Sequence, residues 1–242
     1  MNFRNTYQDT DFAAAYAKLE FPGTYYLAFR DLPGILARHV AGRTALDFGC
    51  GAGRSTRFLR QLGFDTVGVD IAEEMIRQAR ATDPAGDYRQ IADGDLSTVP
   101  AGTFDLVLSA FPFDNIPTWA GKVRLFREMA RMLKLDGRIV NLVSSPEIYW
   151  HEWASFSTKQ FPENRRAKCG DPVRIINTAI GDSRPTVDIL WPHDDYLDVY
   201  RAGGLQMVEV RRPLGRVDEP YDWVNETRIA PWVIYVLEKT KT

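Results

Sequence analysis

The stretch Leu46-Asp47-Phe48-Gly49-Cys50-Gly51-Ala52-Gly53-Arg54 decides the fold. The apolar run Thr44–Phe48 predicts a buried strand, and it leads through closely spaced glycines into a predicted helix over residues 55–62 that stops at Gly63. Glycines so placed let the backbone turn sharply and approach a ligand where side chains would clash. A second predicted strand, residues 66–69, ends at Asp70. An acid there faces the same crevice and can accept both hydroxyls of a ribose.

Outward from this stretch the pattern alternates. A helix is predicted over 72–80, with Met75, Ile76 and Ala79 inward and Glu73 and Glu74 in its first turn, where the helix dipole favours anions. Strands follow over 88–92 and 104–110. The longest helix, 117–133, puts Val123, Phe126, Met129, Ala130 and Leu133 on one face, and Asp136-Gly137 turns the chain into a strand over 138–143. Such alternation means right-handed crossovers and a mostly parallel sheet covered on both faces. Before it stand predicted helices over 12–19 and 25–40, the second interrupted by Pro33. After Ser145 come an aromatic-rich piece and two strand-like runs, 173–180 and 186–191, joined by the turn residues 181–185. In the second run Val187, Ile189 and Trp191 alternate with Asp188, as in a half-buried antiparallel strand. A helix over 194–201, the stop Gly203-Gly204 and strands over 207–212 and 232–237 complete the chain.

Composition narrows the function classes. Of 242 residues 45% are hydrophobic, enough for a substantial core and too many for a disordered chain. Thirty basic residues against 32 acidic give a net charge of −2, so no global positive field holds a nucleic-acid backbone. Cys50 and Cys169 cannot build a disulfide framework, and His39, His151 and His193 lie far apart, so no metal site is expected. No apolar run approaches a membrane span, and the first residues do not resemble a signal peptide. The expectation is a cytoplasmic protein acting without nucleic acid or membrane, with a homodimer through edge pairing of the 173–191 hairpin left open.

The glycine spacing separates two ligand classes. Dinucleotide sites need a third glycine three positions after the second, and here Gly51 is followed at that distance by Arg54. The order Asp-x-Gly-x-Gly-x-Gly, with Asp47 just ahead, repels a pyrophosphate and suits a ligand bearing an ammonium group. It resembles motif I of the class I S-adenosylmethionine-dependent methyltransferases, and the resemblance spans residues 44–145 well. The fold this implies is α/β and Rossmann-like: a doubly wound, mostly parallel seven-stranded sheet with an antiparallel last strand. A helical cap (1–43) would precede the cofactor core (44–145), with a substrate-side hairpin insertion (146–192) and a terminal helix and strand pair (193–242), all in one domain, 1–242.

The resemblance also implies site roles. The Gly49–Cys50–Gly51 turn would pass beneath the methionine part and sugar of S-adenosylmethionine, with Asp47 influencing the methionyl ammonium. Asp70 would hold the ribose and Ile71 would lie against the adenine. In Ala92-Asp93-Gly94-Asp95-Leu96, Asp95 would accept from the adenine amino group and the Leu96 amide would donate to a ring nitrogen; the alternative for Asp93 and Asp95 is a solvated turn. Ala110, ending the fourth strand, would offer its carbonyl to the ammonium. Arg30 stands where several small-molecule members place an arginine on the cofactor carboxylate, its alternative being a surface position. The chain departs from the Asn-Pro-Pro-Tyr of nucleic-acid amino methyltransferases: Ala110-Phe111-Pro112-Phe113 lacks the amide that would hold a base amine. The later residues, Val187 to Pro192 and Ala202 to Leu205, resemble bacterial small-molecule methyltransferases, including members related to toxoflavin biosynthesis.

For the acceptor, Tyr25, Phe113, Tyr149 and Trp153 are the expected walls, with Tyr16 closing over the cofactor from the same cap. His151 is the candidate base; its alternative is an exposed position on a lid. The reaction expected is in-line transfer of a methyl group to oxygen or nitrogen of a small organic, aromatic or heterocyclic acceptor, releasing S-adenosylhomocysteine. Positioning would do most of the catalysis, with no metal. Two other functions compete: a family member that binds the cofactor without methyl transfer, and an NAD(P)-dependent oxidoreductase.

Overall fold

Side chains along a strand alternate between its two faces, so a strand apolar on both belongs to a sheet covered on both. The computed structural model describes Ala15 and residues 19–92 and 95–240; most of the helix expected over 12–19, with Tyr16, lies outside the described residues, as does Asp93. Helices α1 (Thr24–Arg30) and α2 (Leu32–His39) precede β1 (Thr44–Phe48), which sends Leu46 and Phe48 into one apolar cluster and Ala45 into the other. The expected helix over 25–40 is thus two. Pro33 fits only the first turn of a helix, so the chain restarts there.

From β1 the chain enters α3 (Arg54–Gln61), β2 (Asp65–Asp70), α4 (Glu73–Thr82), β3 (Asp87–Gln90) and β4 (Phe104–Ala110). Next come α5 (Trp119–Met132), whose first turn Thr118 caps by accepting from the Gly121 amide at 3.0 Å, and β5 (Leu133–Ser144). Gly137 lies inside β5, where a turn is expected from sequence. A Cβ there would meet the Phe104 carbonyl oxygen at 2.9 Å, so glycine lets β4 and β5 close together where their register shifts.

The insertion forms its own three-stranded sheet, β6 (Phe156–Ser157), β7 (Pro172–Asn177) and β8 (Thr186–Ile189), in the order β6-β7-β8. The expected hairpin is present, extended by β6. Its facing differs: Asp188 is buried and Val187 is the half-exposed neighbour. After α6 (His193–Ala202) and β9 (Leu205–Arg211), β10 (Trp232–Lys239) runs antiparallel between β5 and β9. The main sheet has seven strands in the order β3-β2-β1-β4-β5-β10-β9, with β1 to β5 parallel. Strand order reverses between β1 and β4, which opens a crevice at their carboxyl ends.

Candidate active site

The glycine turn lies at that crevice. The Gly49 and Cys50 amides both donate to the Val69 carbonyl, at 2.9 and 3.0 Å, so the turn is braced against the end of β2. Gly51 has φ 53°, and a Cβ there would meet nothing nearer than Met75 Sδ at 4.0 Å. Its missing side chain therefore leaves an open cradle on the crevice side. Cys50 gives only backbone to this surface, its thiol being buried with Ile76, Ala79 and Tyr88.

Asp70 completes the cradle. One carboxylate oxygen accepts from the Gly51 amide and the other from the Ala72 amide, each at 2.8 Å. A carboxylate has about four lone-pair sites, so each oxygen keeps one for a ligand hydroxyl. Burial pushes the Asp70 carboxyl above the usual carboxylate range, against the pull of the Ala72, Gly51 and Ile71 amides. Ile71 follows, half-buried against the main core.

Asp47 sits one layer deeper. It is fully buried, and one oxygen accepts from the Ser55 and Thr56 hydroxyls at 2.7 and 2.6 Å, while the other has no partner. Burial pushes its carboxyl up to about 6, against those two hydroxyls. A buried, half-satisfied carboxylate behind an open glycine cradle fits a ligand with a positive group. The residues present therefore fit S-adenosylmethionine: Gly49 to Gly51 would lie beneath it, Asp70 would meet its ribose and Asp47 would supply negative potential.

The remaining expected ligands divide. Ala110 ends β4, half-exposed beside β1, on the same edge as the turn. Asp95 is exposed and accepts from the Ser97 amide at 2.9 Å; the Ser97 hydroxyl, and then that amide, hold its carboxyl below the usual range. The Leu96 side chain is buried, and its carbonyl accepts from Arg131 at 2.9 Å. Arg30 is committed elsewhere: its guanidinium donates to Asp31 at 2.8 Å, to Glu219 at 2.6 Å and to the Leu214 carbonyl at 3.0 Å. Arg54, in the place of a dinucleotide site's third glycine, lies instead between turn and cap. It donates to the Glu20 carbonyl at 2.6 Å, and its guanidinium covers the Tyr25 ring at 4.6 Å. Glu20 and Phe21 line a cavity of about 780 Å³ that opens between the cap and Ala179–Ile180–Gly181.

The expected acceptor walls are rearranged. Tyr25 packs with Phe111, Phe156 and Trp232, at ring separations of 5.9, 5.1 and 5.6 Å. Phe113 does not line the crevice. It is fully buried, stacked on Phe126 at 4.1 Å, because the chain reverses at Phe111 (φ 73°) and turns the next aromatic into the core. Tyr149 and Trp153 are also buried: the Tyr149 hydroxyl donates to Asp188 at 3.0 Å, and the Trp153 indole donates to the Ile148 carbonyl at 2.8 Å. His151 is half-exposed, edge-on to Trp153 at 6.2 Å. His39 and His193 take structural partners, Glu209 at 2.5 Å and the Tyr235 hydroxyl at 2.8 Å. Among the described residues, no group of three or more His, Cys, Asp or Glu side chains is arranged to hold a metal ion, and no helix is long and apolar enough to cross a membrane.

Sequence reading missed a buried charged cluster behind β4 and β5. Lys122 is fully buried, donates to the Phe113 carbonyl, and lies over the Trp191 and Tyr196 rings at 4.9 and 5.3 Å. Beside it, the buried Asp114 carboxylate accepts from the Ser144 amide at 3.1 Å. Burial pushes the Asp114 carboxyl up to about 6 and pulls the Lys122 ammonium down to about 7. The available signal was an isolated charge in an apolar context: Asp114 after Phe113, and Asp188 between Val187 and Ile189.

Known proteins share this architecture. Residues 46–141 match the methyltransferase domain family. The chain is 32% identical over 96 residues to the ubiquinone biosynthesis O-methyltransferase of Methylococcus capsulatus, covering 38% of this chain and 40% of that protein. Against the protein of the same name from Bordetella avium it is 33% identical over 86 residues, covering 34% and 36%. The chain thus spans about two-fifths of the length of these curated relatives. A solved S-adenosylmethionine-dependent methyltransferase from Clostridium acetobutylicum superposes with a TM-score of 0.65 at 12% identity, covering 96% of this chain and 98% of that one. The CcbJ methyltransferase of Streptomyces caelestis does so with a TM-score of 0.65 at 16% identity, covering 92% and 100%. At such identities the likeness is one of fold. The sheet order defines a Rossmann-like α/β domain, with the glycine turn and the strand-end acid at its crevice. Through residues 46–141, about two-fifths of its length, the chain is similar to the class I S-adenosylmethionine-dependent methyltransferases.

Proposed function

We propose that the protein is an S-adenosylmethionine-dependent methyltransferase acting on an oxygen or nitrogen of a small aromatic or heterocyclic metabolite. The observation that carries this reading is the open Gly51 cradle with Asp70 beside it at the carboxyl edge of the sheet. The name shared by the curated relatives, an O-methyltransferase of ubiquinone biosynthesis, favours oxygen as the accepting atom.

In this proposal Asp70 holds the ribose hydroxyls, Ile71 and the Asp95–Leu96 turn bound the adenine, and the Ala110 carbonyl faces the methionyl ammonium. Asp47 adds negative potential from behind the turn. When bound, S-adenosylmethionine supplies a methyl group already activated by its sulfonium charge. The protein then has to align the acceptor with that methyl and exclude water. Phe111, half-exposed at the end of β4, offers flat apolar surface there, backed by the buried Tyr25 ring. His151 is half-exposed, and among the described residues no carboxylate is hydrogen-bonded to it, which favours positioning as the larger part of catalysis.

Thermal denaturation tests the reading. S-adenosylhomocysteine at about 100 times its Kd should stabilise the protein by about 2.7 kcal/mol, seen as a rise of a few degrees in Tm. NAD should leave Tm unchanged, because only the former presents an ammonium toward Asp47. Equal stabilisation by NAD, or none by S-adenosylhomocysteine, would reject it.

A further inference from the structure

The turn after β4 holds a conformation its sequence does not favour. Phe111 is the one non-glycine among the described residues with positive φ, 73°, and bulky side chains populate that region at a cost. Its amide donates to the Leu142 carbonyl at 2.9 Å and its carbonyl accepts from the Asp114 amide at 3.0 Å. Its ring packs against Trp232 at 4.6 Å.

Two buried charges grip this turn from the core side. Lys122 on α5 donates to the Phe113 carbonyl, and Asp114 accepts from the Ser144 amide at the end of β5. The cluster continues to Asp188 of β8, which holds the Tyr149 hydroxyl at 3.0 Å. Buried charges are a poor way to stabilise a core, because desolvation cancels much of their attraction, and an apolar set of similar volume does as well or better. What this arrangement does supply is direction. Two hydrogen bonds with fixed donors and acceptors set where the turn lies relative to β5, which apolar packing would leave looser.

We propose that Lys122 and Asp114 are positioning residues: they pin the turn at Phe111 so that the end of β4 keeps the Ala110 carbonyl aimed at the methionine end of the bound cofactor. The inference rests on the proposed methyltransferase reading, and it divides the site in two. The ribose and adenine are held by β2 and its neighbours, independent of the clamp. The amino-acid end depends on it.

The test is titration calorimetry with two probes, S-adenosylhomocysteine and 5′-methylthioadenosine, which keeps the nucleoside and lacks the amino-acid group. Lys122→Met alone leaves a buried acid without its cation, so the double variant Lys122→Met, Asp114→Asn keeps the charge balanced and the shape similar. It should bind S-adenosylhomocysteine about 5- to 50-fold more weakly while 5′-methylthioadenosine changes less than about 2-fold. Adding Phe111→Gly, which adopts positive φ freely, should recover part of the loss. Unchanged S-adenosylhomocysteine affinity would overturn the proposal, and so would equal weakening of both probes, the mark of general loosening. A wild-type protein that binds neither probe would overturn the methyltransferase reading itself.

Discussion

Asp47 is a carboxylate kept where solvation cannot reach it, with one oxygen on two hydroxyls and the other bare. Its carboxyl is pushed from an ordinary value near 3.8 up to about 6, so between those values the folded state binds the proton better than the unfolded chain. Stability contributed by the protonated form is therefore present below about pH 4 and lost as pH rises toward 6. Asp47→Asn should remove this loss. Urea denaturation should find the variant more stable than wild type by about 1–3 kcal/mol at pH 7, with the gap closing toward pH 4. A gap independent of pH would show that the ionised form is not the cause. At the same scale the structure reassigns Arg30 through Glu219, a partner from a distant loop that no local pattern could have indicated. Phe113 is reassigned by one backbone angle at Phe111.

Among the elements, the segment joining β5 to β6 separates packing from exposure within a few residues. Tyr149 and Trp153 are 2% and 4% exposed, whereas the half-exposed His151 ring stands at the surface between them. Trp153→Ala should cost about 3–5 kcal/mol through the cavity left behind and the loss of its hydrogen bond to the Ile148 carbonyl. His151→Ala should stay within about 0.5 kcal/mol of wild type. Denaturation curves for the two variants check this, and a large loss for His151→Ala would mean the imidazole is structural. The aromatic richness of the segment was visible in sequence. Its inward direction was not, because Tyr149 meets Asp188 of β8, which is buried along with Ile189 and Trp191 instead of alternating outward from them.

Across the whole molecule, Glu226 joins parts that are far apart in the chain. Fully buried, it accepts from the Thr24 hydroxyl and the Ala154 amide at 2.7 Å each, and from the Val224 and Asn225 amides at 2.8 and 3.0 Å. Cap, insertion and final loop therefore meet on one carboxylate. Glu226→Ala leaves these donors without it, at about 1–3 kcal/mol for each that stays buried and unpaired. The expected loss is about 3 kcal/mol or more in urea denaturation, with faster amide exchange in α1 and around Ala154 than in β1 to β5. Uniform exchange throughout would show that Glu226 does not link the cap to the insertion in particular.

The sequence by itself determined the parallel sheet, the glycine turn and the strand-end acid, because each follows from spacing within one strand–turn–helix unit. Residues 44–70 hold Asp47, Gly49, Gly51 and Asp70 within one strand–turn–helix–strand unit. Tertiary structure alone decided where the aromatic residues outside this unit lie. Which aromatic rings face the crevice depends on the positive φ at Phe111 and on the facing of β8. The clamp depends on Lys122, Asp114 and Ser144 converging from α5, the turn after β4 and the end of β5. A buried charge becomes tolerable only when its partners arrive from other elements, and single-strand periodicity carries no record of that meeting.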